Sequence, residues 1–325
     1  MLKIVGLWPS DNRDSRQTVG PKFQRLCSFI TLLFVITIPS LISLIKACGD
    51  MVLMIDNMQY CLPFSMTILK MCIIWYKQEV LVLLIDIIER DWVKVRIKEE
   101  RDVMLRCARI TRTIAICGLL MLIFALIIVF GLPCVEMTRG YITNLTNSGK
   151  YLPIPTYYLH DVTKSPQFEL TLLAQIVAMS MGGICYSAVD NLFGLLVFHV
   201  CGQLENLYLR LRHMKKFPNY DEILKYNVQD HICLIRSIKI IDDTFNLMLL
   251  GLVLYFAITF CLQGFLIVNS FKQKDELSIM QLSWFVAATV ITSLHMCLYC
   301  AVGEILVIQK TFDNVKTKKY HTLRL

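Results

Sequence analysis

The chain has 325 residues, of which 56% are hydrophobic and only 18% charged, with a mean hydropathy of +0.56 and a net charge of +8. This composition excludes an ordinary soluble domain and indicates a membrane protein. In chain order, bracketing charged residues enclose six long apolar runs, of which only the second contains a charge, Lys70. The runs cover residues 26–45, 57–76, 113–135, 170–189, 244–271 and 277–303. Because about 20 helical residues cross the hydrocarbon layer, the sequence predicts an all-α, multi-pass transmembrane bundle with six spans.

The basic residues predict the orientation of the spans. Segment 1–25 is polar and lacks the apolar core of a signal peptide, so the first span is expected to direct insertion. With both termini on one side, that side carries 26 Lys and Arg residues and the other side 6, which predicts a cytoplasmic N-terminus and tail. The single glycosylation acceptor, Asn144, lies in the 134–168 loop predicted to be extracellular. The positive charge is explained by this orientation and by anionic lipid, and no nucleic-acid partner is expected.

Two connecting segments have distinct compositions. Segment 77–112 joins apolar clusters to dense mixed charge, with Asp86–Arg90 and Asp102–Arg106 at helical i, i+4 spacing, so it predicts cytoplasmic helix. The 134–168 loop is rich in Pro and Tyr, which is typical of an irregular segment with amphipathic aromatic side chains. This loop is either a lid over a ligand pocket or an ordinary structured loop.

Several polar residues resemble chemical sites without the necessary geometry. His199 and Cys201 point about 200° apart on a helix, and His295 is about 140° from Cys300, so neither pair holds a metal ion. With no phosphate-binding loop and no nucleophile elbow, we expect no catalytic residue, metal or cofactor. His199, Gln203 and Glu205 lie instead where the fourth span continues into the cytoplasm. They are interpreted as packing or assembly residues.

Two charged residues lie in or beside predicted spans. Lys70 is close enough to the cytoplasmic end of its run for its long stem to reach the interface, so snorkelling is the favoured interpretation. Asp190 is placed either at the cytoplasmic boundary or in the bundle interior.

A candidate ligand pocket is formed by aromatic, Met and small residues in the outer halves of the spans. Such residues line apolar pockets between helices, and they also make ordinary helix contacts. The candidates are Tyr60, Phe64, Phe124, Ile128, Met179, Gly183, Trp284 and Phe285, with Met181 and Gly182 beside them.

Ordered motifs along the chain resemble the insect odorant receptors, especially those of ants, bees and wasps. They are LWP at 7–9, YLPIPTYYLHDVTKSPQFELTLLAQ at 151–175, VDNLFGLLVFHVCGQLENLYLRL at 189–211, HICLIRSIKIIDDTF at 231–245 and LYCAVGEILVIQK at 298–310. The nearest alternative is a gustatory-type chemoreceptor with the same topology. A small transporter is the alternative from another class, but the two halves of the chain show no convincing repeat.

The resemblance implies an odorant-binding subunit of a ligand-gated, non-selective cation channel in the plasma membrane of a sensory neuron dendrite. Its implied partners are a small volatile apolar ligand, membrane lipid and the odorant coreceptor, with which it forms a heterotetramer. Within the bundle at 26–307, the outer half is expected to hold the pocket and segments 77–112 and 194–245 to form a cytoplasmic anchor. The family fold has seven spans, so with a tail at 308–325 this chain is expected to end before the pore helix.

Overall fold

The structure is a computed structural model that describes Gly6 and residues 19–94, 97–142, 152–154, 156–158, 160–162, 164–213, 220–272 and 286–304. Side chains are described over the same residues except 19, 52, 132–142, 220 and 269–272. Throughout these ranges the regular structure is helical, with no strand. The elements are α1 (Val19–Leu32), a π-helical turn (Leu33–Thr37), α2 (Ile38–Lys46), α3 (Met51–Tyr76), α4 (Gln78–Val93), α5 (Lys98–Ile142), α6 (Gln167–His213), α7 (Tyr220–Lys272) and α8 (Val286–Glu304).

The predicted fold class is confirmed. Among the described residues, six helical segments are long and apolar enough to cross a membrane: Gly20–Lys46, Leu53–Tyr76, Lys98–Gly131, Gln167–His213, Asp221–Val268 and Val286–Glu304. Many large apolar side chains on these segments, such as Leu120, Ile127 and Val253, are exposed on the protein surface. Such a surface is unfavourable in water and suits the hydrocarbon of a bilayer, where helix surfaces facing lipid are apolar. The cytoplasmic position of the N-terminus stays a prediction.

The chain folds as two compact units. Of the described residues, the first unit contains those within 1–76, 117–189 and 248–291, and the second contains those within 77–116, 190–247 and 292–325. Helices α5, α6, α7 and α8 each contribute one part to each unit. The second unit includes the segments 77–112 and 194–245 that the sequence analysis assigned to a cytoplasmic anchor.

The snorkelling interpretation of Lys70 is wrong. Its side chain is 0% exposed, and its ammonium nitrogen lies 3.2 Å from the centroid of the Tyr186 ring, within the first unit. A desolvated cation over an aromatic face gains electrostatic energy from the ring quadrupole. Lys70 therefore faces the protein interior. Its ammonium group contacts the Tyr186 ring and does not extend to the membrane interface.

Candidate functional site

An apolar cluster in the first unit brings together three of the predicted pocket residues. Its buried members come from three parts of the chain: Ile36 in the π turn, Ile154 in the 134–168 loop (called the outer loop after its predicted position), and Ala178 with Met179 in α6. Half-buried apolar side chains pack around them: Val35, Tyr60, Phe64, Leu126, Val129 and Phe130. Met179 thus lies in the same cluster as Tyr60 and Phe64, although more than a hundred residues separate it from them in the sequence.

The other predicted pocket residues are placed differently. Phe124 is 54% exposed and lies outside the cluster, whereas Leu126, Val129 and Phe130 of the same helix pack against it. Ile128 is half-buried. Gly183 lies against Leu122, and a side chain at position 183 would overlap Leu122. The glycine therefore permits close packing between α5 and α6. Trp284 and Phe285 lie outside the described residues.

The π-helical turn and Pro39 together create an attachment point for the outer loop. Pro39 has no N–H to donate to the carbonyl of Val35, the residue four positions earlier. That carbonyl accepts a hydrogen bond of 2.9 Å from the Tyr158 hydroxyl instead. π turns of this kind occur frequently at functional sites, because they open the regular backbone ladder.

Gln175 of α6 holds the same loop from the opposite side. Its amide side chain is 0% exposed, and its two N–H groups are shared among three acceptors within hydrogen-bond distance of the nitrogen: the Ile154 carbonyl (3.1 Å), the Thr156 hydroxyl (3.2 Å) and the Tyr158 hydroxyl (3.0 Å). The backbone N–H of Ile154 donates to the Gln175 carbonyl oxygen at 3.3 Å. These bonds fix Ile154 against the apolar cluster. Gln175 was not among the residues predicted from the sequence, although it is the one amide in the apolar run 170–189 and that isolation is a usable signal.

Two further contacts attach the outer loop to the bundle. His160 lies 2.8 Å from the Thr171 hydroxyl oxygen, and that hydroxyl itself donates to the Gln167 carbonyl, so the His160 Nε2–H is the donor. Lys46, in the last turn of α2, places its ammonium nitrogen 3.0 Å from the centroid of the Tyr157 ring. The described part of the loop is therefore fastened to α2, the π turn and α6, which is the arrangement a fixed cover over the cluster requires.

The predicted assembly residues lie in a polar network of the second unit. Buried His199 donates from Nε2 to Asp91 Oδ2 at 3.1 Å, and Lys94 lies 3.1 Å from the other oxygen of this carboxylate. Burial alone would raise the pKa of Asp91, but the bonds and charge of His199 and Lys94 outweigh it and hold that pKa below its ordinary value. Gln203 is also buried, and Glu205 pairs with Arg106 at 2.5 Å. His199 thus contacts α4 and Glu205 contacts α5 within the second unit, and Gln203 is buried on α6.

Arg210 is the centre of this network, although it was not among the residues predicted from the sequence. Its guanidinium binds the Glu100 carboxylate with two nitrogens, at 2.8 and 3.0 Å, and donates from the third to Asp230 at 2.7 Å. Asp230 also lies 3.8 Å from Lys94. Because a two-pronged Arg–carboxylate bond fixes both distance and orientation, Arg210 ties α6 to α5 and α7.

Comparison with known proteins identifies the family. The family model described as 7tm Odorant receptor matches residues 50–302. The chain belongs to the odorant receptor family. Among solved structures, the fold of this receptor is similar to that of the insect olfactory receptor OR5 from Machilis hrabei. The structure of OR5 in complex with eugenol gives a TM-score of 0.77 at 15% identity, covering 95% of this chain and 78% of that chain.

A second structure of the Machilis receptor gives a TM-score of 0.72 at 13% identity, with the same coverage of 95% and 78%. No curated protein sequence matches this chain. At such low identity the structural likeness establishes the fold, and the family match establishes the membership. The predicted resemblance is therefore confirmed at the level of the family, and the receptor is a multi-pass protein of the plasma membrane.

Some predictions for the receptor are not tested. The likeness to ant, bee and wasp members stays a prediction, as does the coreceptor partner. Asn144 and the tail at 308–325, with the expected absence of a pore helix, lie outside the described residues.

Gly182 of the receptor gives a first testable prediction. A Cβ there would lie 2.9 Å from Leu32 and 3.2 Å from the Phe64 ring, so Gly182→Ala must displace Leu32 and press on the Phe64 side chain of the cluster. We expect the free energy of unfolding to fall by about 1–3 kcal/mol, the usual cost of overpacking. Thermal unfolding of the detergent-solubilised receptor measures the change.

The matched control is Gly194→Ala on the same helix, where an added Cβ meets nothing within 4 Å. There we expect a gain of up to about 1 kcal/mol, because Ala favours helix over Gly. Equal melting temperatures for the two variants would show that Gly182 is not tightly packed.

Proposed function

We propose that this receptor is the odorant-binding subunit of a ligand-gated cation channel that it forms with the odorant coreceptor. The observation that carries the proposal is the apolar cluster around Met179, Tyr60 and Phe64, covered by a loop that Gln175 and Tyr158 fasten to the bundle. An interior of aromatic, aliphatic and Met side chains under a fixed cover suits a small volatile molecule, which is held mainly by apolar burial.

Buried polar atoms near the cluster favour an odorant with a hydrogen-bonding oxygen. Ser40 lies one helical turn after Ile36 and is 1% exposed, and its hydroxyl has no hydrogen-bond partner among the described residues. Other helical hydroxyls nearby, such as those of Thr67 and Ser180, bond the carbonyl four residues earlier. Gln59, next to Tyr60, has an equally unpartnered Nε2 within the described part of the chain. A buried polar group without a partner is costly, and a ligand oxygen would satisfy it.

The second unit supplies the proposed assembly module. The network of Asp91, His199, Glu100, Arg210 and Asp230 joins four of its helical segments, those of α4, α5, α6 and α7. A module with fixed internal geometry presents a defined surface to neighbouring subunits, which reduces the entropy lost on assembly. We assign subunit assembly with the coreceptor to this unit, with His199, Gln203 and Glu205 as part of its framework.

The test is electrical recording from cells that coexpress the receptor and the coreceptor. A panel of small volatile odorants, with eugenol included because the Machilis OR5 structure contains it, should evoke cation currents that the coreceptor alone does not give. Surface labelling establishes that the receptor reaches the membrane. A receptor that is present at the surface with the coreceptor and silent to the whole panel contradicts the proposal, and uptake of a solute without the coreceptor would favour a transporter.

Ser40→Ala tests the proposed odorant chemistry. Removing the hydroxyl should raise the half-maximal concentration of oxygen-bearing odorants about five- to tenfold, the equivalent of one hydrogen bond of roughly 1 kcal/mol. Hydrocarbons of similar shape should be unaffected, because they never used the bond. Ser180→Ala is the control, since that hydroxyl is already bonded to the Ile176 carbonyl. An equal shift for both classes of odorant would place the Ser40 hydroxyl outside the ligand contact.

A further inference from the structure

A polar cluster joins α6 to α8 in the second unit, and neither the apolar site nor the Arg210 network uses it. Asp190 Oδ2 lies 3.2 Å from His295 Nε2, and the Tyr299 hydroxyl donates a hydrogen bond to Asp190 Oδ1. His295 and Tyr299 are four residues apart, so they lie on one face of α8. Both oxygens of one carboxylate are thus bound by two side chains of a single neighbouring helix.

Aromatic packing extends this cluster to a third helix. The Tyr299 ring stacks on Phe193 with centroids 6.2 Å apart and an interplanar angle of 23°, and Phe193 contacts Phe245 of α7 at 5.0 Å. Phe193 follows Asp190 by three residues on the same face of α6. The carboxylate therefore orients Tyr299, whose ring packs on Phe193, the α6 partner in the aromatic contact with α7.

The cluster of Asp190, His295 and Tyr299 costs more desolvation free energy than a purely structural contact between two helices requires. The side chains of Asp190 and His295 are only 18% and 22% exposed, and both lie on segments that are long and apolar enough to cross the membrane. Charged groups in such segments are expensive to desolvate, and where they occur they are by default functional. An apolar contact between α6 and α8 would hold the helices together without this cost.

The position of the cluster along the chain is also specific. Asp190 is the first residue of the second unit on α6, and the α8 part of that unit begins at Thr292, three residues before His295. The three polar side chains consequently fix α8 to α6 at the point where each helix enters the second unit. A contact at this point therefore determines whether α6 and α8 pack against each other where their second-unit segments begin.

We propose that Asp190, His295 and Tyr299 form an intramembrane latch that holds α8 on α6 in the unliganded receptor and opens when the channel is activated. The proposal rests on the channel function proposed above. A contact made in only one of two states shifts their equilibrium by its own free energy, so weakening the latch favours the open state.

Ligand-free current tests the latch without any odorant. Tyr299→Phe removes one hydroxyl and keeps the ring stacked on Phe193, and Asp190→Asn removes the charge with almost no change in shape. On coexpression with the coreceptor, each variant should raise the basal current per surface receptor about tenfold over wild type, the effect of losing one charge-assisted hydrogen bond. Cys297→Ala, at an exposed position of α8, should leave the basal current unchanged.

Thermal unfolding of the four solubilised proteins (wild type, the two single variants and the double variant) checks the contact itself. Because the Tyr299 hydroxyl and the Asp190 carboxylate are the two partners of one hydrogen bond, the double variant should lose less stability than the sum of the two single losses. Additive losses, or basal currents at the wild-type level in surface-expressed variants, would overturn the latch. Failure of the channel proposal has a different signature, since it is a wild-type receptor that no odorant activates.

Discussion

Gln175→Leu is expected to detach the outer loop and abolish the odorant response. Leucine has about the same volume but none of the four hydrogen bonds that Gln175 makes to Ile154, Thr156 and Tyr158. The buried backbone groups of Ile154 would lose their partners, at about 1–3 kcal/mol for each group. We therefore expect roughly 3 kcal/mol less stability, with release of Ile154 from the apolar cluster. Thermal unfolding and odorant-evoked current measure the two effects.

Gln167→Leu is the matched control, because it is the same substitution at an exposed position two turns earlier on α6. It should change the free energy of unfolding by no more than about 0.5 kcal/mol, as is usual for surface positions. If Gln175→Leu also melts like wild type and responds normally, the loop is not held by this amide. The assignment of the loop as a fixed cover would then be wrong.

The second large effect is expected from Arg210→Leu. This change leaves the Glu100 carboxylate buried and without the two nitrogens that bind it at 2.8 and 3.0 Å, and it also removes the bond to Asp230. Removing one partner of a buried ion pair costs about 3–5 kcal/mol, because the remaining charge is desolvated without compensation. We expect the second unit to lose its fixed geometry. Surface amount and coprecipitation with the coreceptor should both fall severalfold.

Arg212→Leu and Arg210→Lys make the experiment specific. Arg212 is exposed in the same last turn of α6, so its loss should change the amount of assembled receptor little. Lys at 210 keeps the positive charge but lacks the planar fork, so it should restore assembly only in part. Full restoration of assembly by Arg210→Lys would mean that the positive charge alone matters. Normal assembly of Arg210→Leu would show that the Arg210 network is not needed for assembly with the coreceptor.

Local composition was enough to locate the spans and to recognise the family. Whether about 20 residues can lie in hydrocarbon depends on those residues themselves, so six apolar runs predicted six spans, and the structure has them. The ordered motifs between residues 7 and 310 predicted the odorant receptor family, which the match over residues 50–302 establishes. The general region of the apolar cluster was also predictable, because Met and aromatic residues in outer half-spans are visible in the sequence.

The partners of the polar side chains were decided by the tertiary structure. Glu100 and Arg210 are 110 residues apart, Asp91 and His199 108, and Asp190 and His295 105. No local pattern connects such positions, because each bond depends on how helices are rotated and paired. The same reason explains why the prediction for Lys70 was wrong. Its short distance from the membrane interface along the sequence favoured snorkelling, but the side chain contacts Tyr186 on another helix. The sequence determined which segments enter the membrane, and the packing of those segments determined where their few polar groups are satisfied.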